Sequence, residues 1–233
     1  MRNAKTRLLS STTSSPTSGN TSSTKHFPVS ELKSVPRNYR TNLINSLTGF
    51  KSSSLISTVS DSGIPNVAIF SNIFHIGADP SLIGFINRPI GNAPHTLTNI
   101  KATGKYNINS IHTSFVDEAH QTSARYPEAV DEFDAVGLTK QYIDGIQAPF
   151  VKESKIQYSL EVKEIVPIEI NNTFMVIGEV KEIFVDEKLL SEDGFLNLEE
   201  ANTVCSLGID GYYEPKRLKR LSYAKTDAPL SKL

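Results

Sequence analysis

The sequence predicts a mainly β protein, a single antiparallel sheet of Greek-key type closed or nearly closed into a barrel, with a few peripheral helices. Three observations carry this. Runs rich in Val, Ile and Phe flank the turn cluster Asp61-Ser62-Gly63-Ile64-Pro65, the pattern of a β-hairpin. Two longer β-rich runs, SKIQYSLEVKEIVPIEI and TFMVIGEVKEIFV, are separated by Asn171-Asn172. The 233 residues, 38% hydrophobic and 21% charged, have the composition of one soluble globular unit, and all-β units of roughly 200 residues are routine. No run approaches the roughly 18 uninterrupted apolar residues of a spanning helix, so no membrane role is expected. A net charge of -1 gives no global attraction for nucleic acid, so any anion site has to be local.

Taken in order, residues 1–30 are dominated by Ser and Thr and carry only Arg2, Lys5, Arg7 and Lys25 as formal side-chain charges. Such a segment cannot bury enough apolar surface to offset its chain entropy and reads as a disordered leader. It lacks the apolar core of a secretory signal; its acid-poor, Arg-containing, Ser-rich composition is also that of a transit peptide, the alternative reading, although its basic residues form no clear amphipathic helix. Thr17-Ser18-Gly19-Asn20-Thr21 has the hydroxyl-rich composition of a phosphate loop, but no buried strand precedes it and no helix follows. The folded domain is expected over 31–233. Leu43, Ile44 and Leu47 at helical spacing, with Gly49 beyond, predict a helix near 37–48. SSLISTVS and NVAIFSNIF form the first hairpin, and SLIGFI follows the Ala78-Asp79-Pro80 turn as a third strand. His95 to Thr103, with Leu97 and Ile100 three apart and Gly104 just past the end, reads as a short helix, and KYNINSI as the next strand. From Thr113 to Leu138 the pattern is helical and then irregular, ending in a surface excursion at Tyr142 to Gly145. Pro167, which cannot donate to a ladder, places its strand at an edge or a bulge.

The familiar catalytic signatures are missing: no GxSxG, GxxxxGK[ST], GxGxxG or HExxH occurs. Cys205 is the sole cysteine, which excludes intrachain disulfides and cysteine-held metal clusters. His26, His75, His95, His112 and His120 lack helical metal-site spacing and read as surface or satisfied polar residues. No catalytic acid or base and no metal site is assigned.

Between Asp79 and Asp117 there is no acidic residue, yet the stretch holds Arg88, Lys101, Lys105, His95 and His112. Arg88 ends a strand, and Thr96 and Thr98 lie in the opening turn of the following helix. Helix N-terminal amides, an arginine and threonine hydroxyls are the parts of a phosphate site; a solvated loop before a helix explains them equally well. Ser52-Ser53-Ser54 entering one strand and Ser71-Asn72 leaving the next place small polar groups where strand propensity is poor, as a closely approaching ligand or a hydrated strand end would require.

Several motifs in register resemble the flavin reductase-like proteins with an FMN-binding split barrel, the group that includes flavoredoxins. They are Gly63 to Asn66 leading into a strand that ends at Ser71, Asp79-Pro80-Ser81-Leu82, Arg88-Pro89, Thr96 to Gly104, and the later HQTSARYP, EFDAVGLT and APFVKES. Together they cover roughly residues 38 to 223. The Ser81 position often carries a second proline in that family, and the leader has no counterpart in it.

The resemblance implies a cytoplasmic homodimer binding one FMN per subunit at the dimer interface. The ring would lie near Ser53, Ser54, Leu55, Ile56, Ala68, Ser71 and Asn72, and the phosphate near Arg88 and Thr96. The implied activity is transfer of hydride or electrons from NADH or NADPH to flavin, a reaction in which the cofactor supplies the chemistry. The alternative is a flavoredoxin-type carrier that exchanges electrons with a redox protein partner and has little nicotinamide activity. With no tryptophan in the chain, a stacking partner would be Phe70, Phe74, Tyr126 or Phe150.

Overall fold

The computed structural model describes residues 24–88 and 95–232. The leader up to residue 23 and the loop 89–94 therefore lie outside the described residues. Helix α1 (Arg37–Ser46) ends two residues before its expected boundary, where Gly49, at φ 75°, donates its N–H to Ser46 O at 3.1 Å. Strands β1 (Lys51–Ser52), β2 (Ser54–Val59), β3 (Pro65–Phe70), β4 (Ile73–Ala78) and β5 (Ser81–Asn87) follow. Then come α2 (His95–Thr103), β6 (Lys105–Ser110), the short helices α3 (Val116–Gln121) and α4 (Glu132–Val136), and the minor pair β7 (Lys140–Gln141) and β8 (Phe150–Val151). The long strands β9 (Ile156–Ile168) and β10 (Thr173–Val185) and the hairpin β11 (Cys205–Leu207) and β12 (Gly211–Tyr213) complete the chain.

A large unit, Thr41–Leu233, holds all the strands. Seven of them make one antiparallel sheet in the order β3-β2-β6-β9-β10-β5-β4. The two outermost strands, β3 and β4, are joined by Ser71-Asn72 alone, so the sheet has to curl until its edges lie side by side. The run NVAIFSNIF, expected as one strand, is thus broken at these two residues. β9 and β10 pair along their full length with register shifts at Ile177/Gly178 and Val180/Glu182, irregularities of the kind that bend a strand. Pro167 lies beyond the part of β9 that pairs with β6, where its missing donor costs no ladder bond on that side.

The core lies on both faces of β2, all of whose residues are buried. Ile56 packs inward with Phe85, Tyr106, Ile108 and Val176, and the helical pair Leu97 and Ile100 closes over them. Leu55, on the opposite face, packs with Val67, Ile111, Phe115, Phe133 and Val204, which seat the α3–α4 excursion against the sheet. A side chain at Gly178 would run into the ring of Tyr106 and meet Leu160 Cβ at 3.2 Å, so glycine here lets the Tyr106 phenol cross β10 closely.

Candidate functional site

Where β3 and β4 separate, the wall of the barrel opens into a cavity of about 340 Å³. Each element contributes through its end rather than its middle. Ser53 comes from the link between β1 and β2, Ala68 and Phe70 from β3, and Ser71 and Asn72 from the edge-to-edge connection. Arg88 follows the end of β5, and His95 and Thr96 open α2. The excursion supplies Thr122 to Arg125 after α3 and Glu132 at the start of α4; the β11–β12 hairpin supplies Ser206, Gly208 and Tyr212.

Of the sequence-predicted site residues, Ser53, Ala68, Ser71, Asn72, Arg88 and Thr96 line this one cavity. Ser54, Leu55 and Ile56 do not: β2 is paired to β3 and β6 on its two sides, and the Leu55 and Ile56 side chains are wholly buried in separate core clusters. Among the aromatic candidates Phe70 reaches the cavity, while Phe150 is buried against Phe184 with ring centroids 5.4 Å apart. The expected backbone contacts around Gly91 to Pro94 lie outside the described residues.

Asn66, His95, His120, Arg125, Glu132, Ser206 and Tyr212 were not anticipated as site residues. Arg125 belongs to HQTSARYP, but nothing in the local pattern brings it to the same cavity as Arg88; the folding of the excursion does so. His120 Nδ1 and Tyr212 Oη lie 2.8 Å apart, tying α3 to β12 across the rim.

Charge in the cavity is one-sided. Glu132 is the one acidic side chain lining it among the described residues, set against Arg88 and Arg125. Burial raises the Glu132 carboxyl to about 7, with neighbouring Asp131 pushing the same way and the bonds from Val67 and Asn66 opposing it. Just outside, the Lys51 ammonium is depressed by partial burial and then by nearby Arg88. Asp131 caps α4, accepting the Phe133 N–H at 3.0 Å, and is held by Lys140 Nζ at 2.5 Å.

Three buried side-chain atoms with no hydrogen-bond partner among the described residues, Ser53 Oγ, Asn66 Oδ1 and Ser206 Oγ, belong to residues on the cavity wall. Orphaned polar atoms collected at one cavity mark it as a place for a polar ligand. His112, by contrast, is satisfied within the fold: its Nδ1 lies 2.6 Å from Ala201 O and its Nε2 accepts the Lys155 N–H at 2.9 Å. Burial holds it below the usual histidine value, so it stands as a neutral structural residue.

The sequence profile of the flavin reductase like domain matches residues 49–203. A split-barrel protein of Shewanella frigidimarina NCIMB 400, assigned as a flavin reductase, is 43% identical to this chain, covers 86% of it and 100% of its own length, and superposes with a TM-score of 0.83. Nitrilotriacetate monooxygenase component B from Bacillus cereus superposes with a TM-score of 0.74 at 20% identity, over 84% of this chain and 98% of that one. The flavoredoxin of Desulfovibrio vulgaris (Miyazaki F) does so with 0.64 at 21% identity, over 77% and 92%. At the two lower identities the likeness is one of fold. Motifs, curled sheet and matched profile agree, and the chain belongs to the flavin reductase like domain family, with its split-barrel fold.

Proposed function

We propose that the cavity holds FMN and that the protein is an oxidoreductase passing hydride or electrons from NADH or NADPH to it. One observation carries this reading: a single cavity brings two arginines and the opening turn of α2 together with residues holding three buried polar atoms that have no partner among the described residues. The residues fit the group. Arg88, Arg125 and the buried Thr96 at the helix N-terminus suit a phosphate. Ser53, Ser71 and Asn72 offer hydrogen bonds to a ring edge, Ala68 leaves room for close approach, and Phe70 and Tyr212 provide aromatic surface.

Bound FMN supplies the redox chemistry, since hydride passes from nicotinamide to flavin without a protein acid or base. The chain's own contribution is binding and orientation. The raised Glu132 carboxyl leaves that acid only partly charged near neutral pH, while the His120–Tyr212 contact ties α3 to β12 at the rim.

The working form in this reading is a cytoplasmic homodimer whose domain spans 31–233. Phe74 and Ile76, exposed on the sheet-edge strand β4, support association of two copies. The absorption spectrum of the purified protein tests the cofactor, with flavin bands expected. Anaerobic stopped-flow mixing with NADH or NADPH tests the activity. Bleaching that saturates with nucleotide is the expected result; reduction only over minutes with both would favour a carrier serving a redox protein partner.

A further inference from the structure

The Asn66 side chain and the Glu132 carboxylate are joined at the cavity wall. Asn66 Nδ2 donates to Glu132 Oε2, and the same oxygen accepts the Val67 N–H at 2.9 Å. An acid oxygen that already accepts the Val67 N–H takes the NH₂ side of the amide as its second donor, whether the acid is ionised or carries its proton on Oε1. The acid thereby dictates which way the amide is turned, and Asn66 Oδ1 is left on the other side. That oxygen is buried, its residue is only 5% exposed, and it has no partner among the described residues. Thr58, opposite Asn66 across the β2–β3 ladder, accepts from Asn99 Nδ2 at 3.0 Å through its hydroxyl, and among the described residues no bond joins it to Asn66 Oδ1. A strand amide oriented by a carboxylate at the cost of its own carbonyl is a poor device for stability and a good one for recognition.

We propose that Asn66 Oδ1 accepts a hydrogen bond from a neutral N–H or O–H donor on the ligand in the cavity, and that Glu132 is the positioning residue that presents it. The inference rests on the flavin reading, within which the donor is either the imide N–H of the ring or a hydroxyl of the sugar-alcohol chain.

The test is a set of fluorescence titrations of the full-length protein with FMN, with 3-methyl-FMN, which lacks the imide N–H, and with lumiflavin, which lacks the side chain. Asn66→Ala should weaken FMN about tenfold, the effect of one neutral hydrogen bond. It should also erase the preference of the wild type for one donor-bearing ligand: for FMN over 3-methyl-FMN if the donor is the imide, or part of that for FMN over lumiflavin if it is a hydroxyl. Glu132→Gln, whose amide oxygen can still accept from Asn66 and Val67, should keep wild-type discrimination. Glu132→Leu, which frees the amide to turn, should lose it as Asn66→Ala does, and circular dichroism and melting of each variant identify any that fail to fold. Should Asn66→Ala misfold, the contrast between the Gln and Leu variants at Glu132 still decides. Unchanged discrimination in folded Asn66→Ala, or in folded Glu132→Leu, overturns the proposal while leaving flavin binding intact. Failure of the wild type to bind FMN overturns the flavin reading itself.

Discussion

Glu132 Oε2 takes the Val67 N–H at 2.9 Å, so an acid from the first turn of α4 completes the hydrogen bonding of the sheet-edge strand β3 at the wall of the cavity. One buried carboxyl thus serves the strand, the Asn66 amide and the electrostatics of the cavity together.

Its titration gives the first prediction. The Glu132 carboxyl rises from an ordinary 4.5 to about 7, so between those values the folded protein binds more protons than the unfolded chain. Stability therefore falls as pH rises through that window, by roughly 1–3 kcal/mol from this group. Urea denaturation across pH 4.5–7.5 should show this loss in wild type relative to Glu132→Gln, which cannot titrate. Parallel profiles for the two proteins would refute it.

His112 titrates in the opposite sense. Its folded value lies below the ordinary 6.5, so the unfolded chain takes up protons first and the stability that the neutral ring contributes is lost as pH falls below about 6.5. His112→Asn leaves the Lys155 N–H or Ala201 O without its partner and should cost about 1–3 kcal/mol. Turnover per bound flavin should fall by less than the roughly 10²-fold that marks removal of a general acid or base. Replacing His120, which contacts Tyr212 at the rim, should likewise act through binding and orientation only.

Arg88→Ala should weaken FMN by about 10- to 100-fold, the range for a charge-assisted bond, and riboflavin far less because it has no phosphate. Arg125→Ala should show the same contrast. Fluorescence titration with both ligands measures it, and an equal loss for riboflavin would place these arginines away from the phosphate.

Inside the barrel, Gly178→Ala forces its new methyl against Tyr106 and Leu160 and should destabilise by about 1–3 kcal/mol. Tyr106→Phe removes a buried hydroxyl that has no partner among the described residues and should be neutral or stabilising. Denaturant midpoints for the two variants should move apart; a marked loss in the phenylalanine variant would mean that the hydroxyl is satisfied in solution.

Local chemistry wrote much of this protein into its sequence. Gly104, at φ 70° directly after Thr103, ends α2 where glycine past a Leu97/Ile100 face says it should. The turn around Gly63, at φ 84°, and the Asn171-Asn172 turn each fix a hairpin within a few residues. That Arg88 and Thr96 line one cavity follows from the same local logic, a strand end and a helix start close together in the chain. Tertiary structure decided the rest. Leu55 and Ile56 read as a ligand-facing pair, but a period of two sends them to opposite faces of a strand that is covered on both sides. Ser71-Asn72 reads as the tail of one strand until the curl of the sheet makes it the join between two edges. Glu132 stands 66 positions from Asn66 in a sequence crowded with ordinary acids. No local pattern marks its burial, its partner or its raised carboxyl, because all three arise when α4 docks on β3 and takes the surrounding water away.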